Sequence, residues 1–401
     1  MVLKPAPVIV DTPTSARRAR DHRIDWLRGV ALVSIFINHM PGNRFENWTT
    51  RNFGFSDAAE LFVLLAGVAA ALAYFPRFAR GERLLIGVKA LRRAGVLYGA
   101  HLLSTLAAVA IFGGAAWLFD NGDLFELIGI SPILVDPVRG ALAVALGEQQ
   151  LGYFNILPLY VFLTLLLPGY LWLAARDVRL MLAAALAVYL QAQLLPVELH
   201  NFPADGGWYF NPFAWQLVYA IGMALGIMRL RGQTVPWHPA AGLLAGLYVV
   251  YAGVWMVGDM GGRVSFDLLP MWMDTLHKSM LPASRLLHLL ALAYLLVNSP
   301  LWSRMARIPA DNVLTRLGRN SLPVFVLGSL LSMVGYLTLV NTGSMLWLEL
   351  ALTAGSVGLM WALAFAIETG VFRRLRGAVV LRVRSWVDHA TMAAKTPTAR
   401  H

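Results

Sequence analysis

Leu61-Phe62-Val63-Leu64-Leu65-Ala66-Gly67-Val68-Ala69-Ala70-Ala71-Leu72-Ala73-Tyr74-Phe75-Pro76, entered through Asp57 and Glu60 and left through Arg77, Arg80 and Arg83, carries no charged side chain. A backbone amide left unpaired in hydrocarbon costs several kcal/mol, so chains cross bilayers as helices or closed barrels, and a helix needs about 20 mostly apolar residues. The run from 57 to 76 meets that length. Its two acids stand where a helix dipole is positive, and its cations follow the other end. Outward from this run the pattern repeats, with spans near 24–40, 94–118, 154–175, 178–196, 212–230, 239–257, 280–298, 321–340 and 345–371. The expected fold is therefore all-α, a polytopic membrane helix bundle of about ten transmembrane helices. Composition agrees: 58% of the 401 residues are hydrophobic and 14% charged, against roughly 45–50% and about 25% in soluble domains. The lipid bilayer is the solvent of such a chain.

The net charge of +11 suggests no nucleic-acid partner, because the cations do not gather on one domain. Arg17, Arg18, Arg20 and Arg23 precede the first span, and Arg77, Arg80, Arg83, Lys89, Arg92 and Arg93 separate the second from the third. Arg176 and Arg179, Arg229 and Arg231, Arg304 to Arg319, and Arg373 to Arg384 fall in every second connection thereafter. The alternate connections hold Arg44, Arg51, Arg139, Arg263, Lys278 and Arg285 among Asp120, Asp123, Glu126, Asp136, Glu148, Asp205, Asp259 and Asp267. By the positive-inside rule both termini are cytoplasmic. No small-x-small cleavage site follows the first apolar run, so it reads as a retained helix.

Residues 1–20 are expected to be a disordered cytoplasmic N-terminus and 373–401 a basic cytoplasmic tail. Residues 21–372 form the transmembrane domain, with 120–152 as an outer-face interfacial segment. Cysteine is absent, which removes disulfides, thiolate metal sites and an acyl-cysteine intermediate. No GxGxxG, P-loop, HExxH or GxSxG is present, so nucleotide hydrolysis, metalloproteolysis and serine hydrolysis lack support. No metal and no permanently bound cofactor are expected.

Charged groups inside a bilayer are functional candidates, because each costs a few kcal/mol. Arg28 and His39 are separated by ~16 Å of helix rise and return to within ~20° of one face. Snorkelling explains Arg28 as well, and an interfacial position explains His39. Asp57 and Glu60 fit a capping box at the start of the second helix, or carboxylates that orient His39 across a short loop. Lys278 and Arg285 are outer-side cations two turns apart. They serve ion pairing with Asp274, lipid phosphate, or an acidic group of a substrate. Trp208 and Trp215 flank Tyr209-Phe210-Asn211-Pro212-Phe213-Ala214, an aromatic belt or a sugar-stacking wall.

Arg28 and His39 resemble the R-x10-H signature of the integral-membrane acyltransferases. Arg23-Ile24-Asp25-Trp26-Leu27-Arg28-Gly29, His39-Met40-Pro41-Gly42-Asn43 and Asn52-Phe53-Gly54-Phe55-Ser56-Asp57-Ala58-Ala59-Glu60 are similar, more specifically, to the OpgC family. So, in order, are Leu157-Pro158-Leu159-Tyr160, Phe210 to Gln216, and Gly318-Arg319-Asn320-Ser321-Leu322-Pro323-Val324-Phe325. The likeness spans about residues 20–370. Asn38 and Ala66 stand where the family pattern often has Asp and Ser.

The resemblance implies a bacterial inner-membrane O-acyltransferase that moves succinyl from cytoplasmic succinyl-CoA, its co-substrate, to hydroxyls of a periplasmic glucan acceptor. In that reading His39 is the general base, helped by Asp57 and Glu60. Arg28 and Arg319 hold the acyl-CoA. Arg285 and Lys278 read the succinyl carboxylate, while Trp208 and Trp215 hold sugar. Acetyl transfer, another polysaccharide acceptor, and a secondary transporter of a glycan or organic anion are the alternatives. The sequence specifies no oligomeric state.

Overall fold

The computed structural model describes residues 20–195, 197–203, 206–258, 278–371 and 374. The terminal segments 1–20 and 373–401 lie outside these, apart from Arg20 and Arg374, as do Asp205, Asp259, Asp267 and Asp274. The described chain is helical: α1 His22–Asn38, α2 Ala58–Ala79, α3 Arg83–Phe119, α4 Ser131–Val135, α5 Pro137–Leu146, α6 Ile156–Arg176, α7 Val178–Leu194, α8 Pro212–Leu230, α9 Pro239–Val257, α10 Ala283–Val297, α11 Pro300–Met305, α12 Val313–Arg319, α13 Ser321–Thr342 and α14 Leu346–Glu368. One departure from all-α is a two-residue antiparallel ladder, His200–Asn201 with Gly206–Gly207.

Among the described residues seven helices (α2, α3, α6, α8, α9, α13 and α14) are long and apolar enough to cross a membrane. The other three expected spans are α1 and α7, with 17 residues each, and α10, with 15. The third span begins at Arg83 rather than near 94. Hydropathy marks where a helix enters lipid, but its backbone ladder continues wherever the side chains are good helix formers. The eighth begins at Ala283, because Pro282 at its N-cap interrupts the chain. Lys278 therefore lies on a separate 3₁₀ turn, Lys278–Met280, and not on the helix of Arg285.

Small residues bring the central helices into backbone contact, the usual route to close packing where lipid offers no hydrophobic drive. A Cβ on Gly222 would lie 2.1 Å from the Leu64 carbonyl, one on Gly67 2.1 Å from that of Tyr219, and one on Gly226 2.7 Å from the Ala71 methyl. That lock seats α8 on α2. A second seats α1 on α12, where Gly29 meets the Leu314 carbonyl and Gly318 that of Asp25. Buried Asp25 accepts from Nε and Nη2 of Arg20, at 2.6 and 2.8 Å.

The cation-rich connections meet at one end of the bundle. Asp21 caps α1, binds Arg23 and reaches Arg229 at the end of α8. Burial pushes the Asp21 carboxyl up, but Arg23 and Arg229 outweigh it and hold it below the ordinary carboxylate value. Glu368 at the end of α14 binds Arg316 and Arg319 of α12. At the far end Glu349 of α14 accepts from the Arg44 backbone, and Trp215 donates to the Ser279 carbonyl.

Candidate functional site

Two cavities lie back to back within the bundle. The far-end cavity, about 450 Å³, is lined by His39, Arg51, Asp57, Tyr153, Tyr209, Phe210, Lys278 and Arg285, with Ile156 and Phe325 in its wall. The second, about 420 Å³, has Arg28, Arg93, Arg319, Tyr74, Tyr160 and Tyr219 on its lining, and Ile156 and Phe325 appear again. Ile156 at the start of α6 and Phe325 in the first turns of α13 thus form a shared partition. Both volumes fall in the ~300–1,000 Å³ range of small-molecule sites.

His39 is the C-cap of α1, where its backbone N–H donates to the Ile35 carbonyl at 3.0 Å. Its ring stacks on Tyr153, with centroids 4.1 Å apart and planes 9° from parallel. Nδ1 is buried without a hydrogen-bond partner among the described residues. The imidazole is therefore held by stacking rather than by a carboxylate. Tyr153, which the sequence did not single out, has its phenol pushed above the ordinary value by burial and then by Tyr336, so it stays neutral. Asn38, one residue before His39, accepts from the Thr49 hydroxyl at 2.6 Å and ties the following loop to α1.

Asp57 and Glu60 form the expected capping box. The Asp57 carboxylate accepts from the Ala59 N–H at 2.8 Å, and Glu60 from the Asp57 N–H at 2.9 Å. Neither hydrogen-bonds His39. Their charges go to cations instead: Lys278 Nζ contacts Asp57, and Arg285 donates to Glu60 at 2.6 Å and to Asp57 at 3.3 Å. Two carboxylates and two cations make a closed quartet of formally balanced charge. Asp57 thus shares a cavity with His39 without orienting it.

The loop that carries Asp57 is pinned by His288, whose Nδ1 accepts from the Ser56 N–H at 3.2 Å. An N–H only donates, so Nδ1 is the unprotonated nitrogen. Gly54 is required here, because a Cβ would strike the His288 ring at 2.2 Å.

The aromatic segment contributes differently from expectation. Trp215 is fully buried, its indole N–H bound to the Lys278 and Ser279 carbonyls. Trp208 packs near Gly147. Neither lines the cavity. The adjacent Tyr209 and Phe210 do. Where a chain turns into a helix, consecutive residues face different ways, and hydropathy does not say which faces a ligand.

Arg28 turns into the bundle, where Nη2 donates to the Leu65 carbonyl of α2 at 3.3 Å and Nε has no partner among the described residues. Arg319 binds Glu368 and the Ala310 carbonyl while lining the same cavity. Among the described residues no carboxylate lines this cavity. One wall is the Ala66, Ala69, Ala70 and Ala73 face of α2, whose i, i+3, i+4, i+7 spacing stacks methyl groups into a smooth strip.

A family model described as OpgC protein matches residues 20–370 of the chain. No curated protein and no solved structure gives a significant match.

Proposed function

The chain belongs to the OpgC protein family, and from that premise we propose that it is a membrane O-acyltransferase that moves succinyl from cytoplasmic succinyl-CoA to hydroxyls of periplasmic glucans. The observation that carries this reading is the pair of cavities sharing Ile156 and Phe325, one cationic and one holding His39.

The basic end is the cytoplasmic one, following the positive-inside rule. Acyl-CoA enters there. Arg28 and Arg93, which no carboxylate pairs among the described residues, suit its phosphates, as does Arg319 beside its Glu368 partner, because guanidinium groups bind phosphate oxygens through a planar fork. The alanine strip receives the pantetheine arm and leads it to the partition. Beyond that lies His39, facing a cavity reached from the periplasm. His39 takes the proton of a sugar hydroxyl as the oxygen attacks the thioester carbonyl. The new C–O bond replaces C–S, and the proton leaves with the sulfur as free CoA thiol. No acyl group crosses the bilayer free. The quartet of Asp57, Glu60, Lys278 and Arg285 keeps the α2 N-terminus fixed under this centre and supplies a fixed field to the developing oxyanion.

The test is incubation of purified protein with succinyl-CoA and periplasmic glucan, followed by thiol titration and mass spectrometry of the glucan. Succinylated glucan with stoichiometric thiol release is the expected result. Uptake of glycan or anion into sealed vesicles without thiol release would establish transport instead.

A further inference from the structure

Three cations line the far-end cavity, Arg51, Lys278 and Arg285, and two of them are already spent. Lys278 pairs with Asp57, and Arg285 with both Asp57 and Glu60, two formal positive charges against two formal negative ones. A substrate carboxylate brought to them would add a third negative charge to a balanced group, and a buried charge without a partner is strongly disfavoured. Arg51 is different. It forms a long ion pair with Glu46, Nη1 to Oε2 at 3.9 Å, and half of its side chain is exposed. That distance is beyond the ~2.7–3.2 Å of a hydrogen bond, and among the described residues no other acid pairs with Arg51.

Its position relative to His39 is fixed. Arg51 sits in the 3₁₀ turn Thr50–Asn52. The residue before that turn, Thr49, bonds Asn38, and Asn38 adjoins His39. The residue after Arg51, Asn52, donates to the Glu46 carbonyl at 2.6 Å. His39 and Arg51 therefore belong to one hydrogen-bonded unit that opens on one cavity.

We propose that Arg51 binds the free carboxylate of a dicarboxylic acyl group while the thioester carbonyl faces His39, and so selects a succinyl over an acetyl donor. This rests on the acyl-transfer reading above. Two methylenes separate the two ends of succinyl, so the carboxylate must find its cation inside the cavity that holds the base. The guanidinium fork matches both carboxylate oxygens.

The experiment measures initial transfer rates from succinyl-CoA and acetyl-CoA to glucan for the wild type, Arg51→Gln and Arg51→Lys at equal protein. Wild type should favour succinyl. Arg51→Gln should lower the succinyl-to-acetyl ratio about 10- to 150-fold, the effect of losing one charged hydrogen-bonded partner. Arg51→Lys, which keeps the charge without the fork, should fall between. A wild type that uses both donors equally would overturn the succinyl reading and this assignment with it. A discriminating wild type whose ratio survives both substitutions would overturn the Arg51 assignment alone.

Discussion

His39 is supported by a stack rather than a salt link, and that has consequences for substitution. Tyr153 lies parallel to the imidazole, so the ring keeps its place whether charged or neutral. His39→Ala should lower transfer about 10²–10⁴-fold, the usual worth of a general base, with unchanged elution and melting in detergent. Near-wild-type turnover by well-folded His39→Ala protein would remove the base from the mechanism. Arg285 should behave in the opposite way. It holds Glu60, which is 0% exposed, and breaking a buried pair by removing one partner costs about 3–5 kcal/mol. Arg285→Met is expected to lower the melting temperature and to depress transfer from succinyl and acetyl donors alike. A selective loss of succinyl transfer in a stable Arg285→Met protein would return the selector role to Arg285.

Elements, not single residues, build the partition between the cavities. Ile156 is supplied by the first turn of α6, and Phe325 by the N-terminal turns of α13. The Phe62 ring of α2 meets the Tyr160 ring edge-on, at 5.8 Å, on the basic side of that partition. If the partition keeps water from the thioester, Phe325→Ala should raise CoA release from succinyl-CoA in the absence of glucan, while the coupled yield of succinylated glucan per CoA falls. Removing a large buried ring costs about 3–5 kcal/mol in a packed core, so melting is measured alongside. Acceptor-independent release no faster than wild type, in folded protein, would mean that water is excluded elsewhere.

For the whole molecule, orientation is the quantity to measure. The basic connections gather at one end through Asp21–Arg229 and Glu368–Arg319, and the proposed chemistry requires that end to be cytoplasmic. A reporter fused after residue 401 should be active only in the cytoplasm, and one inserted near residue 205 only in the periplasm. A periplasmic signal from the C-terminal fusion would overturn the count of ten crossings.

The membrane class, the helix order and the division of charge were legible in sequence, because hydropathy and the Lys/Arg bias are summed over many residues and need no knowledge of neighbours. The capping box at Asp57 and Glu60 was legible for a related reason: its bonds close within one turn of chain. Tertiary packing alone decided the rest. Lys278 and Arg285 meet Asp57 and Glu60 across more than two hundred positions of sequence, and His288 reaches Ser56 over a similar interval. Tyr209 and Phe210 face the cavity while Trp208 and Trp215 do not, because the local fold, not aromatic character, decides which ring of the segment turns inward. Whether a charge is spent or free depends on who stands beside it. Sequence places Arg51 and Arg285 on the same side of the membrane, but only the folded bundle buries one against two carboxylates and leaves the other half exposed, with one long ion pair to Glu46.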